Sequence, residues 1–174
     1  MLDRRGTDLI GQPAKPWHAS EWDGAAPSSV ADARGRVLVV RFWTDTCPYC
    51  RKSLPALQQL ADEFGDRPVS FVGMYHSKPR DTERPWSAAV ATARSWGVTL
   101  PLAYDRKWQT LDRWWLDGRA RVATSVTFVI DPRGRITHVH PGPVFFPSDD
   151  PAHAEQNRDF VALRAAIEAA LTER

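Results

Sequence analysis

The length, composition and charge of this sequence limit the classes of protein to which it can belong. Its 174 residues, 43% of them hydrophobic, suit one domain with a substantial core. The 23 basic and 21 acidic residues give a formal net charge of +2, and the basic residues are scattered, which argues against nucleic acid as the main partner. No apolar run approaches the ~20 residues that a membrane-spanning helix needs.

The first residues, MLDRRGTDLIGQP, lack the apolar stretch of a secretory signal peptide. We therefore expect a cytoplasmic protein as the sequence stands, and a periplasmic or membrane-anchored one if an N-terminal signal has been removed. We also expect a monomer.

The first predicted elements are a strand, a helix and a second strand, after an N-terminal extension at 1–30. VLVVRFW at 37–43 is an almost continuous β-branched and aromatic run, which predicts a central parallel strand covered on both faces. Apolar residues then recur at helical spacing as far as Phe64, and Gly65 predicts the helix end. PVSFVGMYH at 68–76 predicts the next strand.

The middle of the sequence, residues 77–118, is predicted to be an α-β insertion. An alanine-rich helix is predicted for 86–96, closed by Gly97, and the short apolar LPLAY at 100–104 predicts a strand. A brief helix follows, with three apolar residues on one face: Trp108, Leu111 and Trp115.

The last predicted elements are a β-hairpin and a helix. SVTFVID at 125–131 and RITHVHP at 135–141 lie on either side of the Pro132–Gly134 turn, as two hairpin strands do. Apolar residues at helical spacing within 160–171 predict the final helix. The order of elements predicts a single α/β domain over 1–174.

Three stretches of the sequence and one helix residue match a known pattern. They are LIGQPAKPW at 9–17, RGRVLVVRFWTDTCPYCRKSLPALQQL at 34–60, TFVIDPRGRI at 127–136, and Pro55 within the helix after the cysteines. With these features the sequence resembles the TlpA/ResA-like thiol-disulfide oxidoreductase family of the thioredoxin superfamily. The resemblance implies an α/β thioredoxin-like fold: a central mixed β-sheet flanked by helices, with an α-β insertion between the central strand pair and the C-terminal β-hairpin. It also implies a redox-active Cys47–Cys50 disulfide that is exchanged with protein dithiols.

The chemistry of the cysteine pair follows from its placement in WTDTCPYC, 43–50. Cys47 and Cys50 are the only cysteines, and a bridge across two residues stabilises little, so a reactive pair is favoured over a structural one. A strand that turns directly into a helix presents Cys47 at the helix N-terminus, where the dipole and free N–H groups favour the thiolate. We expect Cys47 to be the nucleophile and Cys50 the resolving thiol, with Pro48 fixing the helix start. Tyr49 completes a CPYC tetrapeptide, also common in glutaredoxins, and its role stays open.

The first hairpin strand departs from the family pattern. Thioredoxin-fold oxidoreductases usually open this strand with a cis-proline, and this sequence has Ser125 there. A cis bond before a non-proline residue costs about 2.5–4 kcal/mol, so we expect a trans peptide. Thr124 and Ser125 either contact the sulfurs or a partner backbone, or they are ordinary polar loop residues.

The charged groups around the predicted site depart from the pattern as well. Arg41 lies at a strand position where thioredoxins carry a buried acid. It either stabilises the Cys47 thiolate or, as we favour, pairs with an acid elsewhere, because buried charges are normally paired. Ser53 replaces the glutamate of many ResA-like proteins, and we interpret Asp45 as a helix cap. With both usual carboxylates missing and an arginine present, we expect a protein more oxidising than thioredoxin.

A peroxiredoxin-like thiol peroxidase, with antioxidant activity, is an alternative on the same fold. Peroxiredoxins have a threonine three residues before the reactive cysteine, as Thr44 precedes Cys47 here. The arginine that they place at the hairpin strand is Ser125 in this sequence, and a thiolate that cleaves peroxide needs a placed cation. Arg119 or Arg121 supplies one only if its loop folds over the cysteine.

A non-catalytic thioredoxin-like module that binds a metal or a partner is the second alternative. Sco-type copper chaperones separate their cysteines by three residues and have a histidine where this sequence has Ala123, so that match fails. His76, His138 and His140 could complete a metal site with the cysteines, but we interpret them as strand-surface residues. No nucleotide, flavin or haem motif is present, so we expect no metal and no cofactor.

The tryptophans are interpreted mainly as core residues. We expect Trp43, beside the cysteines, to shield or contact the disulfide. Trp114 and Trp115 cannot both face inward on one regular helix, so one of them is predicted to be an exposed partner contact. The expected partners are protein dithiols and disulfides, with small thiols such as glutathione or bacillithiol as further candidates.

Overall fold

A six-stranded mixed sheet forms the centre of the protein in the computed structural model, which describes residues 3–119, 121 and 123–173. The strands are β1 (Trp22–Asp23), β2 (Val37–Trp43), β3 (Val69–Tyr75), β4 (Leu102–Tyr104), β5 (Thr127–Ile130) and β6 (Ile136–His140). Their spatial order is β1-β4-β3-β2-β5-β6. β2 runs parallel to β3 and antiparallel to β5, β4 runs parallel to β3, and β1 and β6 are antiparallel edge strands.

Helices lie on both faces of this sheet. They are α1 (Pro48–Phe64), α2 (Trp86–Ser95), α3 (Gln109–Leu111), which continues into a π-helical turn (Asp112–Leu116), and α4 (Ala154–Thr172). Short 3₁₀ turns occupy Thr7–Leu9, Ala31–Ala33, Arg106–Trp108 and Pro151–His153. In the part of the chain that the structure describes, none of these helices combines the length and the apolar character needed to cross a membrane.

The sheet separates two apolar cores, and β2 contributes to both because successive strand residues point to opposite faces. The odd-numbered residues Val37, Val39 and Trp43 belong to the core with α1, α2 and α4, whereas Leu38, Val40 and Phe42 belong to the other. Arg41 has the parity of the first set. It therefore lies on the side of the sheet that α1 covers.

The expected thioredoxin-like architecture is confirmed: a mixed sheet, with β2 at its centre, the helix after the cysteines, and the C-terminal hairpin. Gly65 caps α1 with a φ of 46°, as its position predicted. β4 begins at Leu102 rather than at residue 100, after Pro101, which has no N–H to donate to a neighbouring strand. The sequence did not indicate β1, whose two residues are ordered by pairing with β4.

The prediction that Trp114 or Trp115 is exposed is wrong. Their relative exposures are 3% and 0%. The π-helical turn at 112–116 turns more slowly than a regular helix, so adjacent residues need not point to opposite sides. Trp114 stacks on Trp17 of the N-terminal extension at 6.4 Å between ring centroids, and both tryptophans pack edge-on against Phe128. These side chains belong to the core and are not a partner surface.

Candidate active site

The cysteine pair lies where β2 ends and α1 begins. Cys47 is the N-cap residue of α1, with extended backbone angles of −98° and 121°, and Pro48 is the first helical residue. Cys47 is partly exposed, whereas Cys50, in the first turn, is fully buried, and both thiols are free. Tyr49 between them is 49% exposed. The local geometry predicted from the sequence is therefore present.

The environment of Cys47 favours its thiolate. The hydrogen bond with the Cys50 thiol, the backbone N–H groups of Cys50 and Tyr49, and the positive charge of Lys78 together lower the pKa of Cys47 to about 5, against an opposing effect of burial. Pro48, the first helical residue, has no N–H of its own, so the backbone N–H groups that act on the sulfur are those of the next two residues. Cys47 is thus ionised at neutral pH.

The environment of Cys50 has the opposite effect. Its interaction with Cys47 and its burial raise its pKa well above the ordinary value, because a second negative charge next to the Cys47 thiolate is disfavoured. The charge of Arg41, a hydrogen bond with Ser125 and the backbone at Thr44 oppose this rise. The reduced pair consequently holds one thiolate, on Cys47, and one thiol, on Cys50.

Arg41 is fully buried, and its hydrogen bonds go to neutral oxygens. Its Nη1 donates to the Ser125 carbonyl at 2.8 Å and to the Thr127 hydroxyl at 3.1 Å, and its Nη2 donates to the Pro143 carbonyl at 2.7 Å. The guanidinium also lies 5.2 Å from the ring centre of Phe145. The prediction that Arg41 pairs with an acid is wrong for the described residues, because loop carbonyls converge on it instead.

The positive charge of Arg41 interacts with the sulfurs of both cysteines. Burial lowers the pKa of Arg41, and the sulfur of Cys50, followed by that of Cys47, raises it. The alternative left open by the sequence was that this charge stabilises the Cys47 thiolate. In the structure it acts first on Cys50, and the cation that lowers the pKa of Cys47 is Lys78.

Ser125 and Thr124 both make specific contacts. The Ser125 hydroxyl lies 3.1 Å from the Cys50 sulfur, and the Thr124 hydroxyl lies 3.0 Å from Nε2 of His76. Among the described residues, cis peptide bonds precede Pro79 and Pro143, so the bond before Ser125 is trans, as expected. Ser125 thus contacts a sulfur, whereas Thr124 contacts a histidine and its expected contact with a sulfur or a partner stays a prediction.

Asp45 has different surroundings from those expected, whereas the expected contact of Trp43 with the disulfide stays a prediction. Asp45 does not cap α1: its carboxylate accepts hydrogen bonds from the Tyr75 hydroxyl at 3.1 Å and from Nε of Arg84 at 2.8 Å. Trp43 is buried against Tyr75 and Trp96, with ring centroids 5.0 and 5.9 Å apart. A cleft of about 300 Å³ beside Cys47 is bordered by the first turn of α1 on one side and by Trp96 on the other.

The histidines are not all surface residues. His76 and His140 are buried, contrary to the prediction, because each has a polar partner: Thr124 for His76, and Asp159 at 3.0 Å for His140. Burial lowers the pKa of His76 to about 3 and lowers that of His140 as well. Within residues 3–119, 121 and 123–173, no three His, Cys, Asp or Glu side chains are grouped suitably for a metal ion.

The arginines considered for a peroxidase site are engaged elsewhere. Arg119 and Arg121 each form an ion pair with Asp8 at 2.9 Å, and Arg121 also lies over the Trp115 ring at 4.2 Å. Sequence reasoning missed Lys78 as the cation near Cys47. Its signal was positional: Lys78 follows β3, which is parallel to β2, and the carboxyl ends of parallel strands meet at one edge of the sheet.

This is a thioredoxin-fold protein with a dithiol site. Three features define that class: the order of the strands, the helix α1 that follows the central strand β2, and the cysteine pair at the start of α1. The chain belongs to the AhpC/TSA family, whose family model matches residues 10–139.

Individual relatives agree with this class. The thioredoxin-like protein YneN of Bacillus subtilis is 26% identical over 115 residues, which make up 66% of this chain and 62% of YneN. The thiol-disulfide oxidoreductase ResA of Geobacillus thermodenitrificans is 23% identical over 133 residues, 76% of this chain and 70% of ResA. Among solved structures, a thiol-disulfide isomerase from Corynebacterium glutamicum superposes with a TM-score of 0.64 at 22% identity, over 92% of this chain and 98% of that one. This chain thus spans less than two thirds of YneN.

Proposed function

We propose that this protein is a thiol-disulfide oxidoreductase that exchanges a Cys47–Cys50 disulfide with protein dithiols and disulfides. The observation that carries this proposal is the opposite character of the two thiols. Cys47 is partly exposed at a helix N-terminus with a pKa of about 5, and Cys50 is buried in the first turn with a raised pKa. The relatives named as thiol-disulfide oxidoreductase and thiol-disulfide isomerase support the same chemistry.

In the proposed reaction, the Cys47 thiolate attacks one sulfur of a partner disulfide. A Cys47–partner disulfide forms, the partner disulfide breaks, and the released partner thiolate takes up a proton. Cys50 then loses its proton and attacks the Cys47 sulfur, which releases the second partner cysteine as a thiolate. Two electrons have passed to the partner, and the protein holds the Cys47–Cys50 disulfide. The reverse sequence of steps oxidises a partner dithiol.

We assign supporting roles to five residues around the pair. Pro48 fixes the start of α1, so that backbone N–H groups of the first turn are free for the nucleophilic sulfur. Tyr49 is exposed beside that sulfur, where it is available to a partner. Trp43 packs under the site, Ser125 contacts the resolving sulfur, and Thr124 holds the buried His76.

The partners in this proposal are proteins, because Cys47 is partly exposed and the walls of the cleft beside it include the exposed first turn of α1. Small thiols are secondary partners, and the protein acts as a monomer. The cytoplasm and the periplasm or a membrane surface are the compartments to be distinguished. Locating the tagged natural protein distinguishes them.

Peroxide reduction is the second candidate, and Thr44 favours it. This threonine is buried three residues before Cys47, and its hydroxyl has no hydrogen-bond partner among the described residues. A peroxide-cleaving thiolate also needs a cation aimed at the oxygen that leaves. The ion pairs of Arg119 and Arg121 with Asp8 keep both from that role. We therefore rank peroxide reduction below disulfide exchange.

A comparison of two substrates tests the proposed function. With dithiothreitol as the electron source, we expect the protein to accelerate reduction of insulin disulfides at least about tenfold over dithiothreitol alone, because Cys47 is ionised near neutral pH whereas a free thiol of pKa about 8.5 is only about 3% ionised at pH 7. Hydrogen peroxide should be consumed no faster than by a free low-pKa thiol. Folded protein alkylated at Cys47 is the control. Rapid peroxide consumption without insulin reduction would reverse the ranking of the two candidates, and activity in neither assay would favour a binding module.

A further inference from the structure

Arg41 is a buried cation without a buried anion. Its side chain is fully inaccessible, and its two terminal nitrogens donate to three neutral oxygens. Its Nε has no hydrogen-bond partner, and no carboxylate pairs with the guanidinium in the part of the chain that is described. A buried charge is costly unless an opposite charge compensates it. Among the described residues, the charge of Arg41 is therefore not compensated by a carboxylate.

The sulfur of Cys50 is the group that can supply this anion. Arg41 lies on the α1 side of the sheet, which is the side where Cys50 is buried in the same apolar core. Ser125 connects the two: its carbonyl accepts from Arg41 at 2.8 Å, and its hydroxyl lies 3.1 Å from the Cys50 sulfur. A hydroxyl can accept from a thiol and donate to a thiolate, so this contact suits both protonation states.

We propose that Arg41 is the counter-ion of the Cys50 thiolate and, with the Ser125 hydroxyl, allows the resolving attack without a carboxylate base. This inference rests on the proposed disulfide exchange and assigns the step at which Arg41 acts. In the mixed disulfide, Cys47 is bonded to the partner and carries no charge. The negative charge of the Cys47 thiolate, which opposes ionisation of Cys50 in the reduced pair, is then absent, while the positive charge of Arg41 remains.

The resolving step balances as follows. Cys50 gives its proton to solvent, and its thiolate forms a bond to the Cys47 sulfur. The bond between Cys47 and the partner sulfur breaks with its electron pair on the partner, which leaves as a thiolate and takes up a proton from solvent. The Cys47–Cys50 disulfide that results is neutral, so Arg41 stabilises the thiolate that precedes it more than the product.

The other titratable groups near Arg41 do not replace it. Burial lowers the pKa values of His76, which follows β3, and of His140 on β6. The charges of Lys78 and Arg41 lower that of His76 further, and the charge of Arg41 lowers that of His140. Both imidazoles are therefore neutral near pH 7. Asp159 is bonded to His140, and Lys78 acts on Cys47. The pH dependence of the resolving step between pH 6 and 9 accordingly reports on Cys50.

A chromogenic aromatic disulfide tests the proposal, because each attack by the reduced protein releases one light-absorbing thiolate. The first release reports on Cys47 and the second on Cys50. At pH 7 we expect Arg41→Met to slow the second release at least about tenfold and to move its pH midpoint up by about one unit or more, since one pKa unit is a factor of ten in thiolate below the midpoint. The first release should stay within about twofold. Arg41→Lys should recover part of the second rate.

Arg36→Met is the matched control, because Arg36 precedes the same strand but bonds to Ser70 and the Val69 carbonyl, away from the sulfurs. Arg36→Met should alter neither release.

Two results with Arg41→Met would overturn the proposal. One is an unchanged rate of the second release. The other is a slowing of both releases by the same factor, which a purely structural role of Arg41 predicts. If Arg41→Met does not fold, the unmodified protein decides: a second-release midpoint below the ordinary thiol value of about 8.5 supports the proposal, and a midpoint at or above it contradicts it. If the unmodified protein releases only one thiolate, the disulfide exchange itself has failed.

Discussion

Replacing Cys47 by serine should lower the rate of protein-disulfide exchange by at least about a thousandfold, because no other described side chain offers a thiolate at the helix N-terminus. Replacing Cys50 by serine should have a different effect. The first attack still occurs, but no resolving thiol remains, so the mixed disulfide between Cys47 and the partner accumulates. Insulin reduction measures the first effect, and non-reducing electrophoresis of the trapped mixed disulfide measures the second.

Gln59→Ala is a suitable control for both cysteine variants, because Gln59 lies on the exposed face of the same helix. It should leave both assays unchanged. Equal losses in Cys47→Ser and Cys50→Ser, with no trapped partner in either, would show that the two cysteines do not have the separate roles assigned here. A Cys47→Ser protein with full partner binding and unchanged biological effect would favour the binding-module alternative.

The second large effect concerns the pH dependence of alkylation. Since iodoacetamide reacts with the thiolate, the Cys47 rate should rise through pH 5 and reach its plateau by about pH 6.5. An ordinary thiol of pKa about 8.5 would be only about 1% ionised at pH 6.5, so the ionised fraction of Cys47 should exceed it by about a hundredfold. Cys50 should stay unmodified until the protein is unfolded, because it is fully buried and its pKa is raised.

The same shift links the stability of the reduced protein to pH. Folding lowers the pKa of Cys47 from 9.0 to about 5, so ionisation of Cys47 stabilises the folded state most at and above pH 9. That contribution declines as the pH falls toward 5 and is absent below it. Lys78→Met should raise the alkylation midpoint, since Lys78 is one of the groups that lower the pKa. A Cys47 midpoint between pH 8 and 9 would contradict the account of the site.

The elements of the sheet could be predicted because their sequence patterns are local. VLVVRFW at 37–43 has one apolar face toward each core, and the helix after it has apolar residues at helical spacing and a terminal Gly65. The two-residue β1 has no such pattern, since it exists through its pairing with β4. The burial of both Trp114 and Trp115 depends on a π-helical turn, which a regular helical period does not indicate.

The same distinction holds for the site. The helix N-terminus at Cys47 follows from adjacent residues, and the placement of Arg41 under α1 follows from strand parity. The partners of Arg41 do not, because the Ser125 and Pro143 carbonyls reach it from loops far along the chain. Their convergence is a property of the tertiary structure. That is why an acid partner was a reasonable expectation and a wrong one.

A redox titration of the purified protein against defined thiol-disulfide buffers tests the central claim most directly. Tryptophan fluorescence and alkylation of Cys47 and Cys50 are followed together. We expect one reversible two-electron transition, with a midpoint less negative than the roughly −270 mV of thioredoxin, because the low pKa of Cys47 stabilises the reduced form. If the two cysteines form no intramolecular disulfide at any buffer ratio, the protein is not a Cys47–Cys50 oxidoreductase.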